Sequence, residues 1–147
     1  MRQITGTVVV MLAIIGVAVG RDAKSTAETD IAPLAQKPIT GQCHCGHIKY
    51  EAQGPVVDSN HCNCRGCQRA TGSLRSAILV VPRAGFKIVS GKISSFRAKD
   101  GVKCDKHGIW YFCPKCGSQV YWKPDRGQVF DIFAGTLDDL TIFKPKK

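Results

Sequence analysis

Short runs in which apolar and polar residues alternate dominate the chain after residue 40. In residues 42–52, Ile48, Tyr50 and Ala52 occupy every second position, which predicts a half-buried strand. β-Branched and aromatic runs bounded by turn residues predict further strands at 76–82, 86–90, 93–98, 120–123 and 129–133. Only residues 67–71 suit a helical turn, which Gly72 would end. The pattern predicts a mostly β domain with one or two helical turns.

The first 40 residues follow a different pattern. Arg2 precedes an uncharged run over 4–20, whose strongest apolar part is about twelve residues long, too short for a comfortable membrane span. This predicts a signal peptide over 1–20, with a retained membrane anchor as the alternative. Residues 21–40 are polar and interrupted by Pro33 and Pro38, which predicts a disordered linker. We therefore expect a periplasmic or secreted protein that does not contact the membrane once the signal is removed.

Composition sets the size of the domain and the class of its partners. The chain of 147 residues, 44% of them hydrophobic, can form one compact core, which we expect over 41–143. A net charge of +10 would suit a nucleic-acid-binding protein, but the basic residues are scattered outside a tail at 144–147. We expect a solvated basic surface and no nucleic-acid partner. The same charge would attract an anionic small molecule.

Seven of the eight cysteines fall into three short clusters. An exported protein favours disulfides, so a disulfide scaffold is one interpretation. The spacing favours zinc, because the clusters crowd their sulfurs into turns where they converge on a metal. If the two clusters of two cysteines share one ion and the cluster of three holds another, the ions have four and three sulfur ligands. Other ways of dividing the cysteines between two ions remain open. The three clusters are Cys43-His-Cys45, Cys62-Asn-Cys64-Arg-Gly-Cys67 and Cys113-Pro-Lys-Cys116.

The two sets differ in what they predict. Four thiolates make a closed structural zinc site, whereas three protein ligands with a fourth position open are typical of a catalytic one. A thiol that bound zinc at that open position would lose its proton. The alternative is a second structural zinc, completed by His61, His44 or water.

Four motifs together resemble the glutathione-dependent formaldehyde-activating enzyme family, which includes centromere protein V. They are residues 41–46, 61–73, 112–118 and 134–139, and the resemblance covers 41–143. It implies a β-tent fold of short antiparallel sheets stabilised by two zinc ions. It also implies a carbon–sulfur lyase that forms S-(hydroxymethyl)glutathione from formaldehyde and glutathione. The implied ligands are Cys43, Cys45, Cys113 and Cys116 for a structural zinc, and Cys62, Cys64 and Cys67 for a catalytic zinc.

The resemblance leaves alternatives for function and location. A non-catalytic zinc-binding interaction module is the second functional interpretation. A cytoplasmic location, usual for this family, competes with export. Cys104 matches no metal motif and is expected to be a free thiol.

Several other residues have two interpretations each. Arg65 and Arg69 either steer an acidic thiol or are ordinary surface arginines. His61 is expected to be structural rather than an acid–base group, and Asp138 and Asp139 to cap a turn. Aromatic residues near the clusters are expected to pack the sheets rather than to form a ligand platform. These are Trp110, Tyr111 and Trp122.

Overall fold

Nine strands and one α-helix make up the part of the chain that the computed structural model describes, residues 37–98 and 107–146. The predicted signal peptide, nearly all of the predicted linker and Cys104 lie outside these residues, so what the sequence indicates about them stays a prediction. No helix within the two described ranges is both long and apolar enough to span a membrane. In chain order the elements are β1 (Ile39–Gln42), β2 (Lys49–Ala52), β3 (Asp58–Cys62), α1 (Arg65–Thr71), β4 (Ser76–Pro82), β5 (Phe86–Ser90), β6 (Ser94–Phe96), β7 (Gly108–Phe112), β8 (Gln119–Pro124) and β9 (Val129–Phe133).

The strands form two antiparallel sheets. A three-stranded sheet has the order β1-β2-β5, and a six-stranded sheet has the order β3-β4-β9-β8-β7-β6. Three short 3₁₀ turns complete the described structure, at Arg83–Gly85, Ala134–Thr136 and Leu140–Ile142. The prediction of a mostly β domain with short antiparallel sheets and little helix is confirmed.

One buried cluster joins the two sheets. The small sheet contributes Ile39 and Tyr50, and the large sheet contributes Leu79, Val81 and Ile132, all at most 6% exposed. The alternation of apolar residues along β4 and β9 produces this core, because every second side chain faces the small sheet.

The opposite face of the six-stranded sheet carries a second, smaller cluster. Ile78, Trp110 and Phe133 are buried there, and Cys62 and Cys67 pack against them. Successive residues of a strand point to opposite faces, so Ile78 and Phe133 lie behind the main core while their neighbours fill it. This second face positions α1 and the three central cysteines.

The predicted strand at 42–52 is wrong as a continuous element. β1 ends at Gln42 and β2 begins at Lys49, with a turn between them that contains Cys43 and Cys45. Gly46 adopts a φ of +72°, a conformation that glycine permits and that reverses the chain here. β1 also begins at Ile39, inside the predicted linker and ahead of the expected domain start at residue 41.

Candidate metal and thiol site

Four cysteines from two distant turns meet at one point. Cys43 and Cys45 lie between β1 and β2, and Cys113 and Cys116 lie between β7 and β8. Their four sulfur atoms all lie within 4.8 Å of one another. The Sγ atoms of Cys43 and Cys45 are 3.6 Å apart, and those of Cys45 and Cys113 are 3.8 Å apart. We call this set the tetrad.

The two turns that carry the tetrad are built alike. In each, the N–H of the first cysteine donates to the carbonyl five residues later, at 3.0 Å for Cys43 and 2.9 Å for Cys113. In each, a glycine N–H donates back to the first cysteine's carbonyl at 2.9 Å. These glycines, Gly46 and Gly117, have φ values of +72° and +74°. Each turn therefore brings its two sulfurs towards the other pair.

The tetrad fits a metal better than a disulfide scaffold. None of the seven cysteines in the described ranges forms a disulfide. The N–H of Ile48 donates to Cys43 Sγ at 3.2 Å, and Cys116 Sγ lies 3.3 Å from the hydroxyl of Ser118. The Ser118 hydroxyl and backbone lower the pKa of Cys116 to about 5. Four convergent sulfurs held by such donors are the ligand set that structural zinc prefers.

The three central cysteines also converge, and we call them the triad. Cys62 is the last residue of β3, Cys64 caps the start of α1, and Cys67 lies in the first turn of α1. Their sulfurs lie within 4.8 Å of one another. The N–H of Cys67 donates to Cys64 Sγ at 3.5 Å, and Gly72 ends the helix with a φ of +69°. A strand end and a short helix thus place three sulfurs around one point.

The chemistry of the triad calls for a cation. Burial, together with the neighbouring sulfurs of Cys62 and Cys64, raises the pKa of Cys67 well above its ordinary value. Three thiolates this close repel one another unless a positive ion lies among them, and thiolate is a preferred zinc ligand. The residues present therefore fit a zinc ion at the triad as well as at the tetrad.

Neither histidine weighed as a fourth triad ligand joins the three sulfurs. The ring of His61 packs edge-on against Phe143, with centroids 5.3 Å apart. Adjacent residues on a strand point to opposite faces, so His61 points away from the side occupied by Cys62. His44 lies in a tetrad turn, where its N–H donates to Ser118 Oγ at 3.1 Å. Within 37–98 and 107–146, no histidine, cysteine or carboxylate places a fourth ligand atom within 4.8 Å of all three triad sulfurs.

A cavity of about 150 Å³ lies beside the triad, and we call it the triad cavity. Trp110 and Trp122 form part of its wall. They were expected only to pack the sheets, and they do both, since Trp110 also stacks on Phe133 at 5.8 Å between ring centroids. Tyr111 stays a packing residue and stacks on Tyr121 at 4.4 Å. The lining residues are Asn60, Cys62, Cys64, Cys67, Ile78, Trp110, Trp122, Asp131 and Phe133.

Asp131 is a candidate that sequence reasoning missed. It is half-buried in β9, on the same face as Phe133, and it lines the triad cavity. Burial, with a smaller contribution from the charge of Asp58, raises its pKa to about 6. The signal was present in the sequence, because Asp131 is the one charged residue in the otherwise apolar run 129–133.

A second space, which we call the turn cleft, has a volume of about 550 Å³. It runs from the end of α1, at Thr71, to the tetrad turn at Ser118. Phe133 lines both the turn cleft and the triad cavity, so the two spaces adjoin at this ring. The polar residues that line the cleft are His44, Thr71, Ser73, Ser76, Ser118, Gln119 and Thr136.

The remaining charged candidates lie at the surface. Arg65 donates to Gln68 Oε1 at 3.2 Å, and Arg69 is exposed in the last turn of α1. Neither arginine lines the triad cavity or the turn cleft. Asp139 accepts from the N–H of Thr141 at 2.9 Å and caps the last 3₁₀ turn, as expected.

Comparisons with known proteins agree on one family. The sequence model of the family described as glutathione-dependent formaldehyde-activating enzyme matches residues 38–147. A Sordaria macrospora protein, provisionally named as such an enzyme, is 24% identical over 114 residues, which cover 74% of this chain. Those residues cover 46% of the relative, so the chain spans about half its length.

A solved structure has a similar fold. The crystal structure of a Rhodobacter sphaeroides protein superposes with a TM-score of 0.54 at 18% identity. The match covers 68% of this chain and 88% of that protein. At this identity the likeness concerns the fold alone.

Proposed function

Because the chain belongs to the glutathione-dependent formaldehyde-activating enzyme family, we propose that it is a zinc-dependent carbon–sulfur lyase. Its substrate would be the thiol–aldehyde adduct S-(hydroxymethyl)glutathione, formed from glutathione and formaldehyde. Glutathione-dependent activation of formaldehyde is the role that the family name carries. The observation that supports the finer assignment is the triad, an open set of three sulfurs facing a small cavity, distinct from the four-sulfur tetrad.

Each cysteine set has a separate task in this proposal. Cys43, Cys45, Cys113 and Cys116 would hold a structural zinc, and Cys62, Cys64 and Cys67 would hold the reactive one. A bound zinc at the triad would keep an incoming thiol deprotonated at neutral pH. The indole rings of Trp110 and Trp122 would exclude water from the reacting carbon.

The two spaces beside the triad suit different parts of the substrate. The triad cavity, at about 150 Å³, holds on the order of five water molecules and suits formaldehyde or a hydroxymethyl group. A tripeptide is too large for it. The turn cleft, at about 550 Å³, lies in the size range of small-molecule sites and offers hydroxyl and amide groups to a peptide. We place the peptide part of glutathione there, with its sulfur directed past Phe133 to the triad.

Native mass spectrometry of the full chain, with and without glutathione, tests this function. We expect two zinc ions per chain and a glutathione complex. Replacing Cys67 by Ser removes one of three triad ligands, so one zinc and the complex should be lost while the tetrad zinc stays. Cys104→Ser is the matched control, because Cys104 belongs to neither set, and it should keep both ions.

Two other results would contradict the proposal in different ways. Two zinc ions without thiol uptake would favour a non-catalytic zinc module that binds another macromolecule. Absence of metal, with a mass lowered by paired cysteines, would mean that the sulfurs form disulfides. A Cys67→Ser variant that still binds glutathione would show that the thiol does not bind at the triad.

A further inference from the structure

Asp131 faces the triad from within the sheet. In β9 it lies opposite Val80 of β4 and Trp122 of β8, and it shares the second face of the sheet with Phe133. Its carboxyl group and the three triad sulfurs line the same cavity of about 150 Å³. No Asp131 carboxylate oxygen lies within 4.8 Å of all three sulfurs, so the carboxyl group is a wall of the cavity rather than a fourth member of the sulfur cluster.

The carboxyl group of Asp131 is half-buried in the triad cavity and has no partner in the described structure. It makes no hydrogen bond or ion pair with residues of 37–98 or 107–146. Asp58 lies on the other side of Val80 in the same sheet and, unlike Asp131, has partners for its carboxyl group. One Asp58 oxygen accepts from Asn60 Nδ2 at 2.7 Å, and the other lies 3.4 Å from Lys146 Nζ. A partly buried carboxylate without a partner costs free energy, so its position in this cavity points to a ligand group.

The proposed reaction needs a group that handles one proton. When a thiol adds to formaldehyde, a carbon–sulfur bond forms and the carbonyl electron pair moves to oxygen, which must then be protonated. In the reverse direction the hydroxyl proton must leave before the carbon–sulfur bond breaks. In the adduct the hydroxyl oxygen is bonded to the carbon that sulfur attacks, so it is two bonds from the sulfur.

We propose that Asp131 is the acid–base residue that exchanges a proton with the hydroxyl oxygen of the adduct. In adduct formation the Asp131 carboxyl group gives its proton to that oxygen, and the proton lost by the thiol restores it. In breakdown the carboxylate takes the hydroxyl proton, and the carbon–sulfur electron pair returns to sulfur. No oxidant or reductant is required. The inference rests on the lyase function proposed above.

The surroundings of Asp131 suit this task. Its pKa of about 6 lies close to neutral pH, where an acid–base group works in both directions. The charged group that acts on it is Asp58, itself beside Lys146. The titratable groups that share its cavity are the three triad thiols, and the other walls are Asn60 and apolar residues.

Carbon-13 exchange NMR of the full-length zinc protein tests the assignment. The measured quantity is the catalysed rate at which the labelled carbon of S-(hydroxymethyl)glutathione returns to formaldehyde, between pH 5 and 8. In the wild type, breakdown should rise with pH, with a midpoint near pH 6 and a plateau roughly one pH unit higher, because the ionised carboxylate is the base. Asp131→Asn should lower the plateau roughly 100-fold and remove this rise. Zinc content and glutathione binding should not change.

Two further variants make the test specific. Asp58→Asn removes the neighbouring negative charge, so the rise should move to lower pH. Asp125→Asn is the matched control, because Asp125 is an exposed carboxylate paired with Arg97 at 2.6 Å, and it should leave the profile unchanged. A wild type without catalysed exchange would overturn the lyase function and this assignment with it. An active wild type whose rate and pH profile survive in Asp131→Asn would overturn the assignment alone. An Asp131→Asn variant that loses zinc or glutathione binding together with its rate would also overturn the assignment alone.

Discussion

Single residues decide what each space beside the triad accepts. Gly135 lines the turn cleft, is exposed, and has no atom within 4 Å of the position that a Cβ would occupy. Its φ lies outside the left-handed region, so a side chain there adds bulk to the cleft without backbone strain. Phe133, by contrast, packs in the sheet cluster and lines both spaces, so changing it would alter the core and the site together.

Gly135→Leu should therefore weaken glutathione binding about tenfold or more, because the new side chain fills space assigned to the peptide. Binding of 2-mercaptoethanol, which needs only the triad cavity, should not change. Isothermal titration with both thiols measures the difference. Equal weakening of both would place the peptide outside the turn cleft, and an unchanged affinity for glutathione would do the same.

At the scale of elements, short turns set the positions of the sulfurs more than strands do. The two tetrad turns share a cysteine-to-carbonyl bond over five residues and a left-handed glycine. No atom lies within 4 Å of the position that a Cβ would occupy at Gly117, so a side chain would have space there. Glycine is needed at this position because of its left-handed φ. The triad depends in the same way on a strand end followed by a two-turn helix, α1.

Gly117→Ala should destabilise the zinc-loaded protein by about 1 kcal/mol, because alanine must adopt a left-handed φ. Urea unfolding followed by tryptophan fluorescence measures this change. Gly135→Ala is the matched control, since that position is equally open but not left-handed, and it should stay within about 0.5 kcal/mol of the wild type. Equal stability of the two variants would mean that the Gly117 turn relaxes without cost.

At the scale of the whole described domain, the tetrad joins the two sheets, and we call this junction the clasp. Cys43 and Cys45 follow the first strand of the small sheet, while Cys113 and Cys116 join two strands of the large sheet. The loop that this contact closes runs from Cys45 to Cys113 and contains the triad. The free energy of metal binding at such a clasp is folding free energy.

Cys113→Ser should destabilise the whole domain by at least about 3 kcal/mol, on the order of 10 °C in Tm, because Cys113 is fully buried at the clasp. Cys67→Ser should lower Tm far less, since the triad lies outside the contact between the sheets. Thermal unfolding by circular dichroism compares the two. Similar losses in both would show that the triad is structural too.

Local sequence patterns predicted several of the strands and the grouping of the cysteines. The strands at 76–82, 86–90 and 129–133 match β4, β5 and β9, because alternating and β-branched runs report burial directly. The grouping of seven cysteines into four and three agrees with the two groups of converging sulfurs. The cysteines of each cluster are close neighbours in sequence, so their spacing can be read without the fold. The strand predicted through Cys43 and Cys45 was wrong. The alternating apolar residues that indicated it all follow Gly46, whereas the residues before Gly46 form a turn.

The sequence by itself determined which residues are thiols, how closely they are spaced and which strands they flank, since these depend on neighbours along the chain. Tertiary structure alone decided that Cys45 meets Cys113, that His61 turns away from the triad, and that Trp110 and Trp122 wall a cavity. It also decided the environment of Asp131. Its burial and raised pKa come from residues on other strands, which no local pattern around position 131 contains.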